Sequence, residues 1–273
     1  MLWDFLSFND FYPVRDAAEY RIETVEQYLR AVDDAYKNLW GIKKCGCIRY
    51  SPKLWFRGLR TSDYSLIPAI GRENRSVELE SHYLSKFKAK EKSQGLSTYW
   101  DWLFLMQHHG VPTRLMNWTE DPLVALIFAT DSEASTEEKE WDACVWCINP
   151  VKLNAAFIFH DYLPEGYIPN VQEKKVYELF GPGKNPFWNK KPAAVYGPVN
   201  NSGIVLQRGT FTVFPHTVSF VDMKELPDSS QYLLKIVIVR ESRVFIAEQL
   251  SRYGLTKAQL MPESTSEDPN ASF

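Results

Sequence analysis

Apolar residues return at helical intervals near the start of the chain, at Val25, Tyr28, Leu29, Val32, Tyr36 and Leu39. Thr24 and Gln27 stand in front of them with the spacing of a capping box, so a helix is predicted over 24–40, closed by Gly41. Leu54-Trp55-Phe56 reads as a short strand that delivers Arg57 beside Gly58. Residues 76–92 predict a charged helix whose apolar face is Val77, Leu79, Tyr83, Leu84 and Phe87. A more apolar helix over 97–109 is stopped by Gly110 and Pro112. The stretch that follows, to Thr119, reads as an irregular connection dense in polar, ionisable and aromatic groups, where function is commonly mounted. Asp121-Pro122 has the form of an N-cap followed by a first-turn proline, predicting a short buried helix from Leu123 to Thr130. A surface loop is expected from Asp131 to Glu140.

Further along, 142–149 predicts a strand ended by Pro150, and 151–200 shows little periodicity. Ile204-Val205-Leu206 and Thr210 to Phe214 predict strands on either side of Gln207-Arg208-Gly209. Leu233 to Val239 predicts another strand, and 243–253 a helix closed by Gly254, with Thr256 capping a last turn. Together these elements give an α+β architecture of mixed, largely antiparallel strands with packed helices. Residues 1–49 are expected to form a helical extension that covers the core or a partner surface, and 263–273 a polar, disordered tail.

With 273 residues, 45% of them hydrophobic, the chain can bury one large core. A formal charge of −3 gives no global pull toward nucleic acid or anionic lipid, so nucleic acid would have to bind through a local patch. No run approaches the roughly 20 apolar residues of a membrane span, and the N-terminus has no secretory pattern. A soluble, cytoplasmic protein without a membrane partner is expected. Cysteines fall as Cys45-x-Cys47 and Cys144-x-x-Cys147. In a strand, side chains three apart point to opposite faces, so the second pair is badly placed to share zinc; buried thiols are expected, and no metal.

Phe56-Arg57-Gly58, then Gln107-His108-His109-Gly110-x-Pro112-Thr113-Arg114-Leu115-x-Asn117-Trp118-Thr119, then Ala125-Leu126-x-Phe128-Ala129, resemble the FRG domain. The likeness continues in Gln207-Arg208-Gly209-Thr210-Phe211-Thr212 and in the final strand and helix, which sets the expected FRG domain at 50–262. Two departures stand out. Asn117 occupies a place where family members usually carry an aspartate, and the family's fuller acidic and glycine pattern after the last proline is missing. The order Arg57, Asn117-Trp118-Thr119, Gln207 is also similar to the motif order of the ADP-ribosyltransferase superfamily. That second likeness implies an ADP-ribosyltransferase-like fold and a toxin or phage-defence effector of bacterial type that consumes NAD while acting on a macromolecular acceptor.

Under that implication Arg57, with Gly58, Arg114, Asn117 and Trp118, would hold NAD. Arg57 brings a planar fork for phosphate or ribose oxygens, Gly58 an open approach to the backbone and Trp118 a stacking face. Arg57, His108, His109, Thr119 and Gln207 are the catalytic candidates. Gln207 can hydrogen-bond a ribose hydroxyl, yet an amide is no general base, so the base role passes to His108 or His109. Each residue has a structural alternative: Arg57 pairing a buried carboxylate, the histidines and Thr119 capping helices, Arg114 bracing its loop, Trp118 filling the core, Gln207 satisfying a bulge. Two other functions stay open, a non-catalytic nucleotide- or nucleic-acid-binding module and a metal-independent nuclease built on the histidine pair.

Overall fold

The computed structural model describes residues 20–40, 53–72, 78–91, 96–131, 138, 140–157, 167–184, 191–198, 208–217 and 219–260. Cys45, Cys47, Gln207 and the strand expected at 204–206 lie outside them. The first strand, β1 (Tyr20–Ile22), leads into helix α1 (Val25–Trp40). The expected capping box forms in part: Thr24 Oγ1 accepts from Gln27 N at 3.1 Å, while Gln27 Oε1 accepts from Glu23 N at 2.7 Å. The buried stripe of α1 is Val25, Tyr28, Ala31, Val32, Ala35 and Leu39. Leu29, expected on that stripe, is 43% exposed, and the two alanines let the helix lie close to the sheet instead.

Strand β2 (Trp55–Leu59) is followed by helices α2 (Glu78–Lys90) and α3 (Tyr99–His108). A reciprocal cap between Thr98 and Asp101 starts α3, and Gly110 at φ 73° follows its end. Strand β3 (Leu115–Thr119) then runs directly into helix α4 (Pro122–Ala129). Asp121 caps α4 as the sequence indicates, its Oδ1 accepting from Leu123 N at 2.9 Å and Val124 N at 3.4 Å. The segment before α4 corrects an expectation. Residues 115–119 are not an irregular connection but a strand paired along its whole length, and the sheet partner that fixes it is distant in sequence.

Strand β4 (Ala143–Ile148) ends before Pro150 as expected, but Pro150 opens a helix that the pattern did not announce, α5 (Pro150–Phe157). Asn149 Oδ1 accepts from Lys152 N at 3.0 Å at its start. After α6 (Lys174–Phe180) come β5 (Ala193–Val195), β6 (Gly209–Val213), β7 (Leu233–Ile238), α7 (Arg243–Arg252) and α8 (Lys257–Leu260).

Among the described residues the strands form one seven-stranded sheet in the order β1-β7-β4-β2-β3-β6-β5. Among these strands β1 and β7 pair in parallel and the other ladders are antiparallel, so the mixed α+β expectation holds. The ladders differ in length at the middle. β2 pairs with β4 over five residues, from Trp55↔Ile148 to Leu59↔Cys144, yet with β3 at Phe56↔Thr119 alone. The sheet is therefore close to parting between β2 and β3.

Apolar packing follows that division on the helical face. One cluster gathers Tyr28, Leu39, Leu126, Ile246 and Leu250 onto Phe56, Val145, Cys147, Ile236 and Ile238, and a second gathers Leu103, Phe104, Met106 and Phe180 onto Leu115, Phe211, Val213 and Val195. A third covers the opposite face, where Trp55, Leu59, Met116, Trp118, Cys144 and Trp146 meet Leu66, Phe214, Met223 and Tyr232. Helix α1 thus lies in the first cluster. Cys144 and Cys147 fall in different clusters, both buried and neither in a disulfide, which matches the alternation expected of a strand. No helix among the described residues is long and apolar enough to cross a membrane.

Candidate functional site

The short β2–β3 ladder places Arg57 and Asn117 together. Arg57 sits mid-strand in β2, and its Nη1 donates to the Asn117 carbonyl of β3 at 2.7 Å, bracing two strands that share one register pair. Strand alternation fixes where the side chains go. Phe56 and Gly58 face α1 and α4, so Arg57 faces the other way, with Trp55 and Leu59. On β3, Leu115 belongs to the helical face and Met116 and Trp118 to the opposite one, so the Asn117 side chain leaves on the helical face.

Arg57 is half-buried and has no carboxylate partner among the described residues. Its Nε is buried with no hydrogen-bond acceptor. Burial, and secondarily the neighbouring Arg72, push its guanidinium down to about 10, against a smaller opposing effect of Cys144. That value still leaves Arg57 cationic at neutral pH. The residue directly across the β2–β4 ladder is Trp146, whose indole N–H is also buried without an acceptor. Trp55 Nε1 and Thr210 Oγ1, on the same face of β2 and β6, share this condition. Buried polar groups are almost always paired in native folds, so these four atoms leave unmet hydrogen-bonding capacity on the Arg57 face, as Trp40 Nε1 and Trp100 Nε1 do elsewhere.

Glu120, immediately after β3, turns toward this face as well. Its carboxylate accepts from Tyr196 Oη at 3.0 Å and pairs with Lys53 Nζ at 2.7 Å, and Tyr196 in turn packs edge-on against Trp55. Burial, reinforced by Glu120, raises the Tyr196 phenol well above its ordinary value.

The other expected site residues divide. Asn117 is exposed on the helical face, its Oδ1 accepting from Gln107 Nε2 at 2.6 Å, while the same nitrogen reaches Leu115 O at 3.2 Å. His108 and His109 end α3 as exposed residues on that helical side, across the sheet from the Arg57 side chain, with His109 against Phe87 at 5.5 Å. Partial burial, then His109, lowers the His108 imidazole. A base role for the histidines beside Arg57 is therefore not assembled.

Four further expectations meet packing instead of ligand space. Arg114 is fully buried and pairs with Glu80 at 2.9 Å. Its remaining nitrogens donate to Tyr99 Oη, Phe214 O and Phe180 O, so no cofactor contact is available to it. Burial alone would lower its pKa; Glu80 and then Tyr99 reverse this and hold it above its ordinary value. Trp118 is 3% exposed and uses Nε1 to donate to Thr212 Oγ1 at 3.1 Å, which makes it core and not a stacking platform. Thr119 is buried, its Oγ1 accepting from Asp121 N at 3.0 Å in the turn before α4. Gly58 opens no path for a ligand, because α4 already occupies the space beside it.

Glu120, Trp146 and Arg72 were not singled out by sequence. Trp146 reaches the Arg57 face through register, Glu120 through Tyr196, which packs on Trp55, and Arg72 as the residue that closes a 3-10 helix at Ala69–Gly71. No group of His, Cys, Asp and Glu among the described residues has the arrangement of a metal site.

Residues 52–138 match the family model of the FRG domain. The match takes in Arg57, Gln107 to Thr119 and α4, and stops before Gln207. No curated protein and no solved structure matches the chain.

Proposed function

Residues 52–138 are an FRG domain, and from that premise we propose that the protein binds a nucleotide by holding a phosphate group at Arg57, with NAD as the first ligand to test. The observation that carries this reading is the un-neutralised Arg57, half-buried, with its Nε and the Trp146 indole N–H both lacking acceptors. A guanidinium fork matches phosphate oxygens bidentately, and charge-assisted hydrogen bonds of that kind are the strong ones. A phosphate at the Arg57 guanidinium would supply the counter-charge that the described residues do not.

Calorimetric titration with NAD and with inorganic phosphate tests the reading. Arg57→Gln should weaken both by roughly 10- to 100-fold, as expected for a lost charged hydrogen bond of about 1.5–3 kcal/mol. Equal affinity in a folded Arg57→Gln variant excludes the site. The pH dependence has a definite sign. Because the Arg57 pKa is lowered to about 10, phosphate affinity should hold from neutral pH to about pH 9 and decline as pH rises through about 10, where the guanidinium discharges.

A second reading, cleavage of NAD at the nicotinamide–ribose bond, is favoured by Glu120. A carboxylate near a developing oxocarbenium stabilises its charge, and Glu120 is held on the Arg57 side of the sheet by Tyr196 and Lys53. The cellular role that follows is an NAD-consuming effector, of the toxin or phage-defence type, acting on a macromolecular acceptor or on water. Glu120→Gln should abolish nicotinamide release from NAD incubated with cell extract while NAD binding persists. Undiminished release in that variant removes Glu120 from the chemistry, and binding without release in the wild type leaves the protein a binding module.

A further inference from the structure

β7 carries one charged residue, Lys235, in the run Leu233-Leu234-Lys235-Ile236-Val237-Ile238. Register places it directly across from Trp146 of β4, and Trp146 directly across from Arg57 of β2. Paired side chains share a face, so Lys235, Trp146 and Arg57 form a row on the side of the sheet away from α1 and α4. Neighbouring strands are about 4.8 Å apart, which sets the Cα atoms of Lys235 and Arg57 about 10 Å apart with the indole between them. Lys235 Nζ lies 5.8 Å from the centre of the Trp146 ring. Like Arg57, it is half-buried and has no carboxylate partner among the described residues.

Two cations without counter-ions therefore flank one buried indole whose N–H lacks an acceptor. The face of the Trp146 ring compensates the Lys235 ammonium only in part, and an anion between the two cations offsets their mutual repulsion. We infer that Lys235 and Arg57 together hold a diphosphate across Trp146, so that the ligand class is a nucleoside diphosphate or a dinucleotide joined through one. This rests on the phosphate reading of Arg57 and adds a second phosphate contact to it. A monophosphate engages Arg57 alone.

Calorimetric titrations of the full chain with inorganic phosphate, pyrophosphate, AMP and ADP test this, using wild type, Lys235→Gln, Lys235→Arg and Arg57→Gln, each checked for an unchanged melting transition. The wild type should bind pyrophosphate and ADP at least tenfold more tightly than phosphate and AMP. Lys235→Gln should erase that preference and leave phosphate and AMP affinity within twofold of wild type, while Lys235→Arg keeps most of the preference. Arg57→Gln should weaken all four ligands. If Lys235→Gln retains the wild-type preference for diphosphates, the diphosphate inference is overturned while the Arg57 reading stands. If Arg57→Gln leaves all four affinities unchanged, both fail. A wild type that shows no preference for diphosphates also overturns the inference.

Discussion

Arg114→Met is expected to cost about 3–5 kcal/mol of stability, the usual penalty for removing one partner of a buried ion pair and leaving the other charge unpaired. The geometry explains why the loss is large. Glu80 is 2% exposed and spends both carboxylate oxygens on this arginine, Oε1 accepting from Arg114 N at 2.9 Å and Oε2 from Arg114 Nε at 2.9 Å. The arginine in turn satisfies the carbonyls of Phe180 and Phe214. It thereby ties α2, the start of β3, the end of α6 and the end of β6 to one point. Single domains have only about 5–15 kcal/mol of net stability, so a chain at the low end unfolds outright. Urea denaturation of Arg114→Met, Glu80→Leu and the double variant measures the effect. The double variant should be more stable than Arg114→Met alone, since it removes the stranded charge, yet remain below wild type because the two carbonyls are still unpaired. A single-variant loss under about 1 kcal/mol would contradict the brace.

The second large effect is expected at Gly58. A Cβ there would lie 1.9 Å from Ala125 O and 2.8 Å from Ala129 N, both backbone atoms of α4. A flexible side chain can swing aside, but a helix backbone moves only as a body. Ala125, Leu126 and Ala129 of α4 are buried in the cluster that also holds Tyr28 and Ile246, so displacing the helix disturbs the whole layer. Gly58→Ala should cost about 3 kcal/mol, the upper part of the range for overpacking. The outcome separates two roles for this glycine. If it serves ligand access, the alanine variant keeps its stability and loses nucleotide affinity. If it serves helix docking, the melting transition drops first, and the population that stays folded retains affinity for phosphate.

The family motif reads differently once its residues are placed. Phe56-Arg57-Gly58 divides into a core residue, a candidate ligand contact and a docking surface for α4, because successive strand residues face opposite ways. The run from Gln107 to Thr119 divides likewise. Arg114, Trp118 and Thr119 maintain the fold, while Asn117, oriented by Gln107, is exposed, as are His108 and His109. In sequence all of these polar residues look equally chemical, because residue type alone does not report which donors are already spent.

The sequence by itself determined the locally encoded parts of this protein. The capped starts of α1 and α4, the glycine that ends α3 and the alternation of β4 and β7 depend on neighbours within a few residues, so they are legible without the fold. Tertiary structure decided the rest. Residues 115–119 became a strand because β6, 90 or more positions away, pairs with them along their length. α5 is not marked in the sequence, because Pro150 and Asn149 also fit a strand's end. Arg57, Trp146 and Lys235 became one row through the registers of three strands that are scattered along the chain. Short-range caps and periodicities are written in adjacent residues, whereas register, and with it the company each arginine keeps, exists only after distant strands have met.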